Sequence, residues 1–150
     1  MTTDNQQQPP ADDAIPLEIS AATATEMIHL DLACLIDIRQ PFELEFKGAL
    51  PNSLHIPFFS IKRAFGDPLS DEEQEILDSE EPSDIDIKAF VKRVNTLQRQ
   101  RECILLVVCN SGRRSVHAAR LLRDLGYDKT FSVADGIRTL NLSTPPDQSP

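Results

Sequence analysis

Val107–Leu122 reads VVCNSGRRSVHAARLL. It overlaps an apolar run, Ile104–Val108 (ILLVV), of the kind carried by a strand buried on both faces. Cys109 follows, then polar residues around one glycine. Val116, Ala119, Leu122 and Leu125, with Ala118 and Leu121 alongside, recur at helical spacing, and Gly126 offers the helix stop. A thiol thus stands between the end of a buried strand and the mouth of a helix, with Arg113 and Arg114 behind it. What chemistry uses a sulfur there, and what do the two arginines hold?

Outward from this stretch the alternation continues. Leu17–Ser20 reads as a short strand, and Ser20 offers the N-cap of a helix over Ala21–His29. Ala33–Ile36 (ACLI) is a second short strand, ending at Asp37, Ile38 and Arg39. Pro41 suits the first turn of a helix over Pro41–Phe46. A small strand is expected near Leu54–Ile56 and a helical piece over Phe58–Ala64. Ser70 and Glu73 make a capping-box pattern that opens a helix to Asp78. Ser83 caps the next helix, where Ile87, Phe90, Val91, Val94 and Leu97 form one apolar stripe. Downstream, Thr130–Val133 is a strand, Asp135-Gly136 a turn, and Ile137–Leu142 a last short helix. Strands alternating with helices define an α/β class with a mostly parallel sheet.

The bulk numbers bound the partners. A chain of 150 residues suits one domain, expected over residues 15–142, between polar, Pro-rich tails at Met1–Ala14 and Ser143–Pro150 that are expected to be disordered. The net charge of −9 argues against nucleic acid and against an anionic membrane surface. Asp67–Asp86 holds ten carboxylates and no Lys or Arg, within an acidic helical insertion expected over residues 66–100. The three cysteines, Cys34, Cys103 and Cys109, lack disulfide-like or metal-like spacing, which points to free thiols in a reducing, cytoplasmic setting. No signal peptide is evident, and the longest apolar run, Cys103–Cys109, is too short to span a bilayer.

In a parallel sheet, ligands bind beyond the carboxyl ends of the strands, where Cys109 is expected. The residues after it lead into a helix N-terminus whose N–H groups lack partners and carry partial positive charge. Gly112 lets the chain curl so that such amides converge on one sulfur and stabilise negative charge there. A cysteine at a strand end is by itself more often a small core residue. Here strand, cysteine, glycine, two arginines and helix start occur together.

Cys109-Asn-Ser-Gly112-Arg113-Arg114-Ser115 resembles the active-site loop of the rhodanese family, of the form C-x-x-G-x-R-S. Leu35-Ile-Asp37-Ile-Arg39 with Glu43 is similar to the family's L-I-D-x-R-x-x-x-E region. Gly48–Pro57 (GALPNSLHIP) resembles its G-H-I-P-G-A-x-N-I-P segment, and Ser132–Ile137 (SVADGI) its closing strand and G-G turn. The chain departs from the pattern at Ala49, Asn52, Asp135 and Leu140. The resemblance implies a rhodanese-like three-layer α/β/α fold with a five-stranded, mostly parallel sheet. It also implies a sulfurtransferase in which the Cys109 thiolate takes a sulfane sulfur from a small anionic donor such as thiosulfate. The sulfur is held as a persulfide and passed to a thiol or cyanide-like acceptor. No metal and no organic cofactor is implied.

Within that picture Asn110, Ser111, Gly112, Arg113 and Arg114 supply backbone amides. Arg113 corresponds to the place whose side chain faces incoming substrate, where it would favour anionic donors, or else it is a solvated surface charge. Arg114 turns inward, with Asp37 as its candidate partner. Ser115 caps the helix through its hydroxyl. Arg39 reaches the pocket rim or pairs with Glu43 at the surface. His55 reads as a structural histidine, and His29 and His117 as exposed helix residues. Cys103 lies one strand length, about 20 Å, from Cys109 and cannot resolve a persulfide, and Cys34 has no role. Two other classes remain open. Phosphatases and arsenate reductases of related fold carry C-x5-R, whereas Arg114 is the fifth residue after Cys109, which leaves a smaller ring. A non-catalytic binding module would use the acidic insertion to dock a protein partner.

Overall fold

The computed structural model describes residues 15–59, 70–97, 103–138 and 140. The two tails, most of the Phe58–Ala64 segment and the end of the last expected helix lie outside the described residues. The elements run β1 (Glu18–Ile19), α1 (Ala21–His29), β2 (Ala33–Asp37), α2 (Pro41–Lys47), β3 (Ser53–His55), α3 (Asp71–Asp78), α4 (Asp84–Asn95), β4 (Ile104–Val108), α5 (Arg113–Asp124) and β5 (Thr130–Val133). Among the described residues a 3-10 turn at Gly136–Arg138 stands where the sequence suggests the start of the final helix. The five strands form one parallel sheet in the order β1-β5-β4-β2-β3.

β4 is central. Ile104–Val108 pairs with Ala33–Asp37 on one side, and Leu105–Val107 with Thr130–Ser132 on the other. With neighbours on both edges and helices on both faces, every position from Leu105 to Val108 is buried, which is why the run is continuously apolar. Side chains alternate between the faces. Leu105, Val107 and Cys109 point with Ile36 and Ile38 toward Phe90 and Val94 of α4 and Ala118 and Leu122 of α5. Leu106, Val108 and Leu35 point the other way, toward Ala24 of α1, Val133 and Leu140.

The helices begin where the sequence places caps. Ser20 Oγ accepts from Thr23 N–H, Ser70 Oγ from Glu73 N–H and Ser83 Oγ from Asp86 N–H, each satisfying an otherwise free first-turn amide. β1 is shorter than expected, yet its flanks still bond the sheet: Ser132 N–H donates to Leu17 O and Ala134 N–H to Ile19 O, both at 2.8 Å.

Candidate active site

Cys109 lies one residue beyond β4, at the carboxyl edge of the sheet. Its position in the alternation aims the side chain at the layer shared with α5. The sulfur accepts hydrogen bonds from Gly112 N–H at 3.2 Å and Ser115 N–H at 3.4 Å. The thiol donates to Ser115 Oγ at 3.5 Å. Gly112, with φ +100°, is the N-cap of α5, and this left-handed bend turns its own amide back onto the sulfur. Ser115 N–H is one of the helix's free first-turn donors. The sulfur therefore meets a helix mouth rather than aliphatic groups alone, although Cys109 is fully buried.

The geometry differs from expectation in detail. Of the five amides expected around the sulfur, Gly112's is bonded to it. Those of Asn110, Ser111, Arg113 and Arg114 make no hydrogen bond to it among the described residues. Ser115 does not cap the helix. Its hydroxyl donates to Gly112 O at 3.2 Å and shares a 2.6 Å hydrogen bond with Ser132 Oγ of β5, so that it is held against the thiol.

The two arginines have separate tasks, and neither pairs as expected. Arg114 does turn inward, but its partners are Glu43 of α2 and Asp78 of α3. Its two terminal nitrogens bond the two Glu43 oxygens at 2.9 and 2.8 Å, and one of them reaches Asp78 Oδ1 at 3.0 Å. The reason is the side of the sheet. Arg114 shares the buried stripe of α5 with Ala118 and Leu122, whereas Asp37 follows Leu35 in the alternation and faces the α1 layer. Asp37 instead holds Arg39, whose Nε lies 3.0 Å from Oδ1 and whose Nη2 lies 2.7 Å from Oδ2. Arg39 also donates to Gly48 O, and both side chains are fully buried, so Arg39 neither reaches a rim nor pairs with Glu43. Arg113 is exposed and forms an ion pair with Glu75 of α3.

Around Arg114 the sequence reading missed Glu43 and Asp78. Gln40 N–H donates to Glu43 Oε1 at 2.7 Å, and Gln74 Nε2 bridges Glu43 and Asp78 at 3.0 Å to each. Asn110 Nδ2 donates to Asp78 Oδ2 at 3.1 Å, and Lys47 Nζ to Asn110 Oδ1 at 2.9 Å. The acidic segment thus contributes a structural carboxylate to the cysteine loop. Burial opposes ionisation of Glu43, but hydrogen bonds and charge from Arg114, with Gln40 and Gln74, hold it below the usual glutamate value. Burial likewise opposes the Asp78 charge and is outweighed by Asn110, Gln74 and Arg114. Burial alone would push the Arg114 guanidinium down, yet Glu43 first, then Cys109 and Asp78, hold it above its ordinary value. The capping-box spacing from Gln40 to Glu43 is a visible signal for one carboxylate. Asp78 has none, lying inside a run of like residues.

A groove of about 580 Å³ opens beside the loop, lined by Ser111–Arg114, Val116 and His117 on one side and by Glu18, Asp78–Glu81, Ala134 and Asp135 on the other. It reaches the loop without reaching Cys109 itself. His117 is exposed and stacks edge-on against Phe58, and His55 Nε2 bonds Arg39 O at 2.7 Å, a satisfied structural contact. Cys34 and Cys103 lie at the opposite end of the sheet, beside a second cavity. No cluster of three or more metal-ligating side chains occurs among the described residues, and none of their helices is long and apolar enough to cross a membrane.

A parallel sheet with a cysteine at a helix mouth on its carboxyl edge defines an α/β domain built around a cysteine loop. The chain belongs to the rhodanese-like family, whose model, "Rhodanese-like domain", matches residues 20–141. It is 32% identical over 122 residues to YrkF of Bacillus subtilis (strain 168), whose name gives it a provisional role as a sulfur carrier. That match covers 81% of this chain but 49% of YrkF, so the chain spans about half the length of this curated relative. A rhodanese-related protein of Thermoplasma volcanium is 26% identical with TM-score 0.50, over 81% of this chain and 86% of the other. The human single-domain sulfurtransferase TSTD1 shares the fold at 24% identity and TM-score 0.53, over 83% of this chain and 94% of its own.

Proposed function

We propose that the chain is a sulfurtransferase that carries sulfane sulfur on Cys109. The observation that carries this reading is the sulfur itself, bonded by the Gly112 and Ser115 amides at a helix N-terminus, where a thiolate and its persulfide anion are stabilised. Family membership and the naming of relatives as sulfur carrier and sulfurtransferase support it. Loading forms a bond between Cys109 Sγ and the outer sulfur of the donor. The donor's bond to that sulfur breaks, and its electron pair leaves with sulfite from thiosulfate, or with a thiolate from a persulfide. An acceptor thiolate or cyanide then attacks the outer sulfur, and the electron pair returns to Cys109. No metal or redox cofactor enters. Cys109 is fully buried, so loading requires that the donor be admitted to the sulfur, while the Arg114 network holds the loop that carries it. Free thiols fit a reducing compartment such as the cytoplasm.

Whole-protein mass spectrometry tests the reading. The parent is exposed to concentrated thiosulfate or to cysteamine persulfide, then to cyanide. We expect a gain of one sulfur atom with at least one donor and its loss with cyanide, and neither in Cys109→Ser. A folded parent that gains no sulfur from either donor refutes the assignment and leaves a binding module.

A further inference from the structure

The groove beside the cysteine loop carries the wrong charge for a small anion. Its walls hold Glu18, Asp78, Glu80, Glu81 and Asp135 against Arg113 and Arg114. Both arginines are already engaged, Arg114 by Glu43 and Asp78 and Arg113 by Glu75. Glu18, Glu80, Glu81 and Asp135 are exposed and make no ion pair among the described residues. Two buried polar atoms of wall residues, Ser111 Oγ and Arg114 Nε, have no hydrogen-bond partner among the described residues. Four carboxylates within one cleft, without an ion pair among the described residues, repel a dianion such as thiosulfate and attract a cation, because field lines concentrate in a low-dielectric groove. A volume of about 580 Å³ also exceeds what a five-atom anion fills and suits a side chain with its flanking residues.

We infer that the physiological sulfur carrier served by this groove is a cysteine thiol set in a positively charged peptide segment, and that carboxylates at the mouth select against anionic carriers. The inference rests on the sulfurtransferase reading and names its substrate class. The carrier's thiolate attacks the outer sulfur of the Cys109 persulfide. The sulfur–sulfur bond breaks, its electron pair stays on Cys109 as thiolate, and the carrier departs as a persulfide. Donation to Cys109 is the same step reversed, so atoms and electrons balance without an added oxidant or reductant. Arg113, expected to welcome an anion, is neutralised by Glu75 and serves instead to fasten α3 beside the loop.

The test uses the full chain loaded at Cys109, cleared of excess donor, and offered two cysteine peptides of equal length. One has lysines flanking the cysteine and the other glutamates. The readout is the ratio of second-order transfer rates, taken in the parent and in the Glu80→Gln/Glu81→Gln double variant, so that the peptides' intrinsic nucleophilicities cancel. In the parent at low ionic strength the lysine peptide is expected to be favoured by about tenfold or more. The ratio should fall severalfold in the double variant, and also in 1 M salt, where the Debye length shrinks to about 3 Å. An equal or faster glutamate peptide, or a ratio unchanged by the double variant, overturns the inference while sulfur loading still stands. Failure of Cys109 to load at all removes the underlying reading instead.

Discussion

Gly136 has no side chain, yet it sets how closely the last turn of the chain approaches the cysteine. A Cβ built there would lie 2.3 Å from Cys109 O and 2.5 Å from Asn110 O, both backbone atoms that cannot step aside cheaply. Its φ of +62° adds to the cost of any side chain. The close approach lets Ile137 N–H donate to Cys109 O at 2.9 Å, tying the carboxyl end of β4 to the segment after β5. Gly136→Ala is therefore expected to destabilise the fold by about 2–4 kcal/mol in a denaturant titration. It should also disturb the loop that presents the sulfur. A variant within about half a kcal/mol of the parent would show that this turn relaxes freely. Asp135 also takes a left-handed φ, 62°, which aspartate tolerates better than most residues, so the departure from the family's first glycine leaves the turn intact.

Among the elements, α2, α3 and α5 are locked to one another by Arg114. One guanidinium, about as buried as the apolar core, meets two carboxylates from helices far away in sequence. A buried pair of this kind is weak evidence for net stability, but removing one partner strands a charge, at a cost of about 3–5 kcal/mol. Glu43→Ala should show a loss of that order in a denaturant titration. Asp78→Asn should lose less, because Glu43 still neutralises Arg114. Replacing Arg114 and Glu43 together, as Arg114→Met with Glu43→Leu, is expected to cost less than the sum of the singles, since neither member of that pair is left without the other and Asp78 keeps its hydrogen bonds from Gln74 and Asn110. Strict additivity in that cycle would mean that the two side chains do not depend on each other. This lock is also where sequence reading stopped. The elements were legible because their causes are local: Ser20, Ser70 and Ser83 cap helices, and Ile104–Val108 shows a strand buried on both faces. Which carboxylate answers Arg114 is decided by which face of the sheet each side chain takes, and by helices 71 and 36 residues away. Asp37, one strand over, looked equivalent but lies on the opposite face.

At the scale of the whole molecule, charge works in two directions as pH falls. The chain carries −9 at neutrality, so protonating exposed carboxylates first relieves repulsion. Glu43 and Asp78 act in the opposite sense. Both are held below their ordinary values in the fold, chiefly because the hydrogen bonds and charges around Arg114 outweigh burial. The unfolded chain, with ordinary values of about 4.3 for glutamate and 3.9 for aspartate, therefore takes up protons first on acidification. Their stabilisation is complete above those values and drains away as pH drops from there through the lower folded values. Urea midpoints should thus hold or rise slightly from pH 7 to about 5, then fall steeply below about 4. The same titration on Glu43→Gln separates this network from the many surface carboxylates. That variant starts less stable at pH 7, and the gap to the parent should narrow as pH descends, because protonated Glu43 is then a near match for glutamine. A gap that stays constant down to the lowest pH at which the parent is folded would show that Glu43 is not the group whose proton uptake unfolds the chain.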